Sequence, residues 1–129
     1  MNSIQSKITE TQSKLEALSA QMVAEAPLVA EGDLSKINHI VGDLNETAGR
    51  LETYQSVLDI ITILANDAVD IEGSVRTALT SHVLRGADDT WSGRANDSRR
   101  RRFDGTRDAT KWVLTNLPTI VPATLAELA

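Results

Sequence analysis

Asp88-Asp89-Thr90-Trp91-Ser92-Gly93-Arg94-Ala95, followed by Arg99-Arg100-Arg101-Arg102-Phe103, is the most distinctive stretch of the chain. It carries one of the two tryptophans and stands beside the densest charge cluster in the chain. It also separates a long acidic region from a short basic one. Residues 1–84 hold twelve acids against five bases, and residues 85–129 hold six acids against eight bases. Arms of opposite sign favour folding of one onto the other, with each exposed pair contributing roughly 0–1 kcal/mol.

Upstream of this stretch the pattern is helical. Residues 1–29 place Met1, Ile8, Leu15, Met22 and Val29 at one heptad position, and Ile4, Thr11, Leu18 and Glu25 at the other. So narrow an apolar stripe is buried only against another helix. Pro27 and Gly32 break this helix, and Asp33 is a suitable N-cap for the next. Residues 34–84 read as one long helix, or two stacked collinear ones, bearing Leu34, Ile37, Val41, Leu44, Leu51, Leu58, Ile61, Val75, Leu79 and Val83. The segment from Tyr54 to Leu64 is apolar nearly all round and is expected to be the most buried part. Gly42, Gly49 and Gly73 each weaken a helix by about 1 kcal/mol relative to Ala. A bend is expected near Gly73.

Downstream, Arg85-Gly86-Ala87-Asp88-Asp89-Thr90 reads as a turn. Residues 95–117 read as a second arm, basic at its start, with Phe103, Ala109, Val113 and Leu117 as apolar marks, Trp112 beside them and Gly105 as a weak point. Pro118 is expected to end or kink it. The fold class is therefore all-α: an elongated helical hairpin or bundle in one domain of 129 residues. Its expected parts are an N-terminal amphipathic helix (1–30), a long coiled-coil-like helix (33–85), a turn (86–94), the second arm (95–117) and a proline-containing tail (118–129).

Composition narrows the chemistry. Aromatics are scarce, being Trp91, Trp112, Tyr54 and Phe103, and the aliphatic remainder suits helix–helix packing. With no cysteine there is no disulfide, thiol nucleophile or thiolate metal site. His39 and His82 are too far apart in sequence for a local metal pair, and no catalytic set, glycine-rich phosphate loop or ordered calcium loop is present. No enzyme activity, metal or cofactor is expected. The net charge of −5 and the lack of aromatics interleaved with Arg99, Arg100, Arg101 and Arg102 argue against nucleic acid. That basic patch reads either as a contact for phosphate or an acidic partner, or as the counter-charge to the acidic arm. Four consecutive helical residues point around the whole circumference, so not all of them meet one surface. Residues 1–10 lack the apolar core of a secretory signal, and no run approaches the roughly 18 apolar residues of a membrane span. A cytoplasmic product is expected, with any export following a route that reads a folded or C-terminal signal.

Trp91-Ser92-Gly93 is a Trp-x-Gly triplet between two amphipathic helices. With Ala95 and Phe103, it resembles the WXG family of small helical hairpin proteins, the substrates and partners of bacterial type VII secretion systems. It is most similar to the branch that accompanies larger LXG-type toxins. The resemblance implies a Trp-x-Gly turn in which Trp91, Gly93, Phe103 and Trp112 set the hairpin corner. The sole tyrosine is Tyr54, so the C-terminal Tyr-x-x-x-Asp/Glu export signal of many members has no counterpart. That departure implies a partner paired with a cargo that carries the signal.

The functional expectation is a non-enzymatic adaptor or chaperone-like partner that pairs through apolar helix faces with another helical protein, with Ile8, Leu15, Leu18 and Met22 as interface knobs. The alternatives are a self-assembling structural coiled coil of a phage or envelope, and a helical bundle with a regulatory ligand between Tyr54 and Trp112. If Trp91 sets the corner, Trp91→Ala lowers stability by about 2–5 kcal/mol in denaturant melts; a shift below about 0.5 kcal/mol would place the indole on the surface.

Overall fold

The computed structural model describes residues 3–27, 32, 34–67, 69–91 and 97–129, with the backbone alone for 88–91 and 97. Among the described residues every regular element is an α-helix. These are α1 (Ile4–Glu25), α2 (Ser35–Leu64), α3 (Ile71–Trp91) and α4 (Asp97–Leu128). None is long and apolar enough to cross a membrane.

The helix ends follow from local chemistry. Ser3 caps α1, its Oγ accepting from the Ser6 N–H at 3.1 Å. The helix stops just ahead of Pro27, and Gly32 takes the left-handed backbone that favours glycine, at φ 83°. Asp33, expected as the next cap, lies outside the described residues. Leu34 occupies the cap position of α2 without a side-chain bond. Many hydroxyls inside the helices turn back one turn, as Thr53 Oγ1 does to the Gly49 carbonyl at 2.9 Å and Thr62 Oγ1 to the Leu58 carbonyl at 2.7 Å. These hydroxyls are satisfied without leaving the helix, whereas the buried Oγ1 atoms of Thr47, Thr110 and Thr124 have no hydrogen-bond partner among the described residues.

α2 and α4 form the centre and run parallel. Asp43 meets Arg101, Arg50 meets Asp108 and Tyr54 meets Trp112 in ascending order along both. The two backbones touch at a pair of glycines. A Cβ on Gly49 would overlap the Arg102 carbonyl oxygen and lie 3.2 Å from the Thr106 nitrogen. A Cβ on Gly105 would overlap the Glu46 carbonyl oxygen and lie 2.8 Å from its carbon. Side chains near this crossing are small: Thr47, Thr53, Thr106, Ala109 and Thr110 are all buried. Further along the pair they grow to Val57 and Ile61 on α2 and Val113, Leu117 and Ile120 on α4.

That wider end holds the core, and the first halves of α1 and α3 fill it. Ile4 and Ile8 enter from α1, and Ile71, Val75 and Leu79 from α3. Both of these helices run antiparallel to the central pair, so the bundle is up-down-up-down. The far end of α1 is tethered by Lys36 and Glu25 at 3.9 Å.

Five expectations change. The helix expected over 33–85 is two helices, broken at 65–70. The Asp67 N–H closes a tight turn on the Leu64 carbonyl at 3.0 Å, and Asp70 caps α3 by accepting from the Gly73 N–H at 3.0 Å. Gly73 sits in the first turn of α3 rather than at a bend, where a Cβ would press on the capping carboxylate. Residues 86–91 of the expected turn 86–94 are helical, because α3 continues to Trp91, and residues 92–94 lie outside the described residues. Gly86 stays helical and makes room for Phe103, whose Cδ2 would be 3.0 Å from a Cβ there. The second arm does not stop at 117, and the tail 118–129 belongs to α4 as far as Leu128. Both prolines face solvent, where water reaches the carbonyls they leave unpaired. Leu117, Ile120, Val121 and Thr124 on the opposite face are buried, and this offsets the roughly 3 kcal/mol that each interior proline costs. Finally, the segment 54–64 is buried on one face only. Val57 and Ile61 are fully enclosed while Ile63 is 74 % exposed.

The glycine crossing makes a signed prediction. Helix propensity alone would have Gly105→Ala stabilise by about 1 kcal/mol. The overlap with Glu46 reverses this, and a net loss of about 1–3 kcal/mol is expected in urea unfolding. A raised unfolding midpoint would contradict the close approach.

Candidate functional site

The arginine run divides between two faces of α4. Arg101 turns onto α2, with Nη2 2.7 Å from Asp43 Oδ1 and 2.8 Å from Glu46 Oε2. Its guanidinium lies over Gly42, where a Cβ would come within 3.3 Å of Cζ. Arg102 reaches Glu52 Oε2 from both Nε at 3.2 Å and Nη2 at 2.8 Å. Arg50 completes the row from the other side, bonded to Glu46 and to Asp108 at 3.2 Å. These pairs are half-exposed, so each is individually weak. Together they form a ladder along the parallel helices, and the charge asymmetry of the two arms resolves into it. Arg99 and Arg100 are exposed on the first turn of α4.

Beside the ladder, α2, α3 and α4 enclose an open cleft of about 650 Å³. Its α3 wall carries His82, Arg85 and Gly86, and its α4 wall carries Arg99, Arg102, Phe103 and Thr106. Glu52 of α2 is its one carboxylate among the described residues. His82 and Arg85 are three residues apart on α3, so they share a helix face. The Nε2 atom of His82 is buried and has no hydrogen-bond partner among the described residues. No group of three or more acidic or histidine side chains that could hold a metal occurs among the described residues.

The sequence-predicted residues fall in different places. Phe103 packs on Gly86 across the α3–α4 pair. Trp112 is not at the corner. It stands edge-on to Tyr54, with ring centroids 5.8 Å apart, and the Lys7 ammonium sits 4.7 Å above its ring. This joins α1, α2 and α4 through packed rings, and Tyr54 and Trp112 are in direct contact rather than facing across a ligand cavity. The side chain of Trp91 and all of Gly93 lie outside the described residues. Of the four N-terminal knobs, Ile8 and Leu18 are buried, and Leu15 and Met22 are half-buried. The α1 seam is thus engaged within the chain. His82 and Arg85 do not stand out as a pair in the sequence, where the turn is expected to begin at residue 85; a helix continued to Trp91 puts them on one face.

No protein-family model, curated protein or solved structure matches this chain.

Burial pushes the Tyr54 phenol above its ordinary value of 10.0; Glu10 and Asp108 act the same way and Arg50 opposes them. The fold favours the neutral phenol. Its stabilising contribution is complete below the unfolded value and is lost as pH rises through the higher folded value. Because Tyr54 is the sole tyrosine, phenolate absorbance reports it directly. The folded chain is expected to ionise at higher pH than the chain in denaturant; coincident titrations would contradict burial of the phenol.

Proposed function

We propose that the chain is a non-enzymatic helical partner protein of the WXG type, made in the cytoplasm, that pairs with a larger secreted protein in a type VII-like system. One observation carries this reading. The described part of α3, up to Trp91, packs in antiparallel order on α4, described from Asp97, and in the sequence Trp91-Ser92-Gly93 falls at the junction of the two.

Pairing does not use the α1 seam, whose Ile8 and Leu18 are already covered. The α3–α4 pair offers Leu84 instead, a large apolar side chain that is 66 % exposed. Burying such a side chain contributes about 1.5–3 kcal/mol before ordering costs.

Co-expression with the large helical protein encoded nearest to it, followed by light scattering, tests the proposal. The expected product is a hetero-complex that Leu84→Glu weakens by about tenfold or more. A defined homo-oligomer formed by this chain alone would favour the self-assembling structural reading, and a monomer that ignores every neighbouring product would end the proposal.

A further inference from the structure

We propose that the arm formed by residues 82–91 of α3 and 97–104 of α4 is held to α2 by an ionic latch. Screening of the latch releases the arm, while the opposite end of the bundle stays folded. The inference stands independently of the pairing reading. The two halves of the arm pack on each other, since Phe103 lies against Gly86. That contact is internal to the arm and travels with it. Toward α2 the arm offers charge. Arg101 Nη2 meets Asp43 Oδ1 at 2.7 Å and Glu46 Oε2 at 2.8 Å, and Arg102 Nη2 meets Glu52 Oε2 at 2.8 Å.

Apolar burial does not reinforce these pairs. Val83, Ala87 and Phe103 are half-buried and Leu84 is exposed, so no apolar side chain among the arm's described residues is buried. At the opposite end Ile61, Val75, Leu79, Val113, Leu117 and Ile120 are almost wholly enclosed. An open cleft of about 650 Å³ lies between the arm and α2, with Glu52 on the α2 side and Arg85 and Phe103 on the arm side. Part of the arm is therefore not packed down on α2.

Closure also strands polar atoms. Nε of Arg101 and Nε2 of His82 are buried with no hydrogen-bond partner among the described residues. A buried polar atom in that condition destabilises the state that holds it. Swinging the arm out returns both nitrogens to water. The closed state thus sets half-exposed ion pairs against two desolvated nitrogens. Such pairs are individually weak and lose strength as ionic strength rises. The arm ends at Gly105, where α4 has no side chain to resist bending. The backbone contact with Glu46 at that point carries no formal charge for salt to screen, and it acts as the fulcrum. An opening of this kind is local and leaves the apolar core in place.

The chain has no cysteine, so nitroxide labels go to chosen pairs of sites. Asn38→Cys with Ser98→Cys, both at exposed positions, spans the latch. Thr62→Cys with Thr119→Cys, also exposed, spans the opposite end. Pulsed dipolar spectra of the full chain are compared from about 0.01 M to about 1 M sodium chloride, over which the screening length falls from about 30 Å to about 3 Å. The latch pair is expected to gain a longer-distance population as salt rises, and the opposite pair to keep one distribution. Arg101→Gln is expected to show the longer population already at the lowest salt. Arg107→Gln, at an arginine paired with Asp104 of its own helix at 3.2 Å, is expected to leave the latch pair unchanged. Thermal melts establish that each variant folds. If Arg101→Gln does not, Asp43→Asn removes one of the same ion pairs from the α2 side and is expected to shift the latch pair in the same direction. A latch distribution that ignores salt, a change of both pairs together, or a folded latch variant that stays closed at low salt overturns the proposal.

Discussion

The structure depends on backbone contact between two glycines. At Gly49 and Gly105 the Cα–H of each helix points at a carbonyl oxygen of the other, Arg102 in one case and Glu46 in the other. No side chain fits between them. Such an approach gains dense dispersion contact and weak C–H···O contacts, and it fixes both the register and the separation of the central pair. Each glycine lowers intrinsic helix propensity by about 1 kcal/mol. Packing that this spacing alone permits offsets the loss.

From that crossing the rest of the bundle follows. Because α2 and α4 touch at one end, small residues such as Thr47, Ala109 and Thr110 fill the narrow part and larger aliphatics fill the wide part. The wide part needs more apolar volume than two helices supply. α1 contributes Ile4 and Ile8, and α3 contributes Ile71, Val75 and Leu79. The ion-pair ladder depends on the same register. With Gly105 seated against Glu46, Arg101 and Arg102 lie one turn earlier on α4 and meet Asp43, Glu46 and Glu52. Arg99 and Phe103 line the cleft, and Arg102 borders it while bonded to Glu52. One backbone contact therefore sets which arginines of the run reach the carboxylates of α2.

The helical class was legible because a periodic apolar stripe has to find a partner. Thr11, Leu18, Ile61, Leu79 and Val113 all lie where such a stripe predicts burial. Break positions were less legible, since they turn on single caps. Asp70 starts a helix three residues ahead of Gly73, the more conspicuous breaker. Pro118 and Pro122 read as a stop because propensity sees the lost bond but not the buried face opposite. Gly49 and Gly105 read as weak points for a similar reason: a glycine's close approach is a property of two helices, invisible in either one. The Tyr54–Trp112 contact and the His82–Arg85 wall likewise needed tertiary placement. The arginine run was visible in sequence, but its division between two faces required the register.

Inter-helix backbone NOEs in the isotope-labelled chain report directly on the contact between α2 and α4. The glycine crossing predicts strong contacts from the Hα protons of Gly49 to the Arg102–Thr106 backbone, and from those of Gly105 to the Glu46 backbone. A folded, helical chain in which these glycines show no contact between α2 and α4, or in which α2 pairs backbone to backbone with another helix, would contradict it.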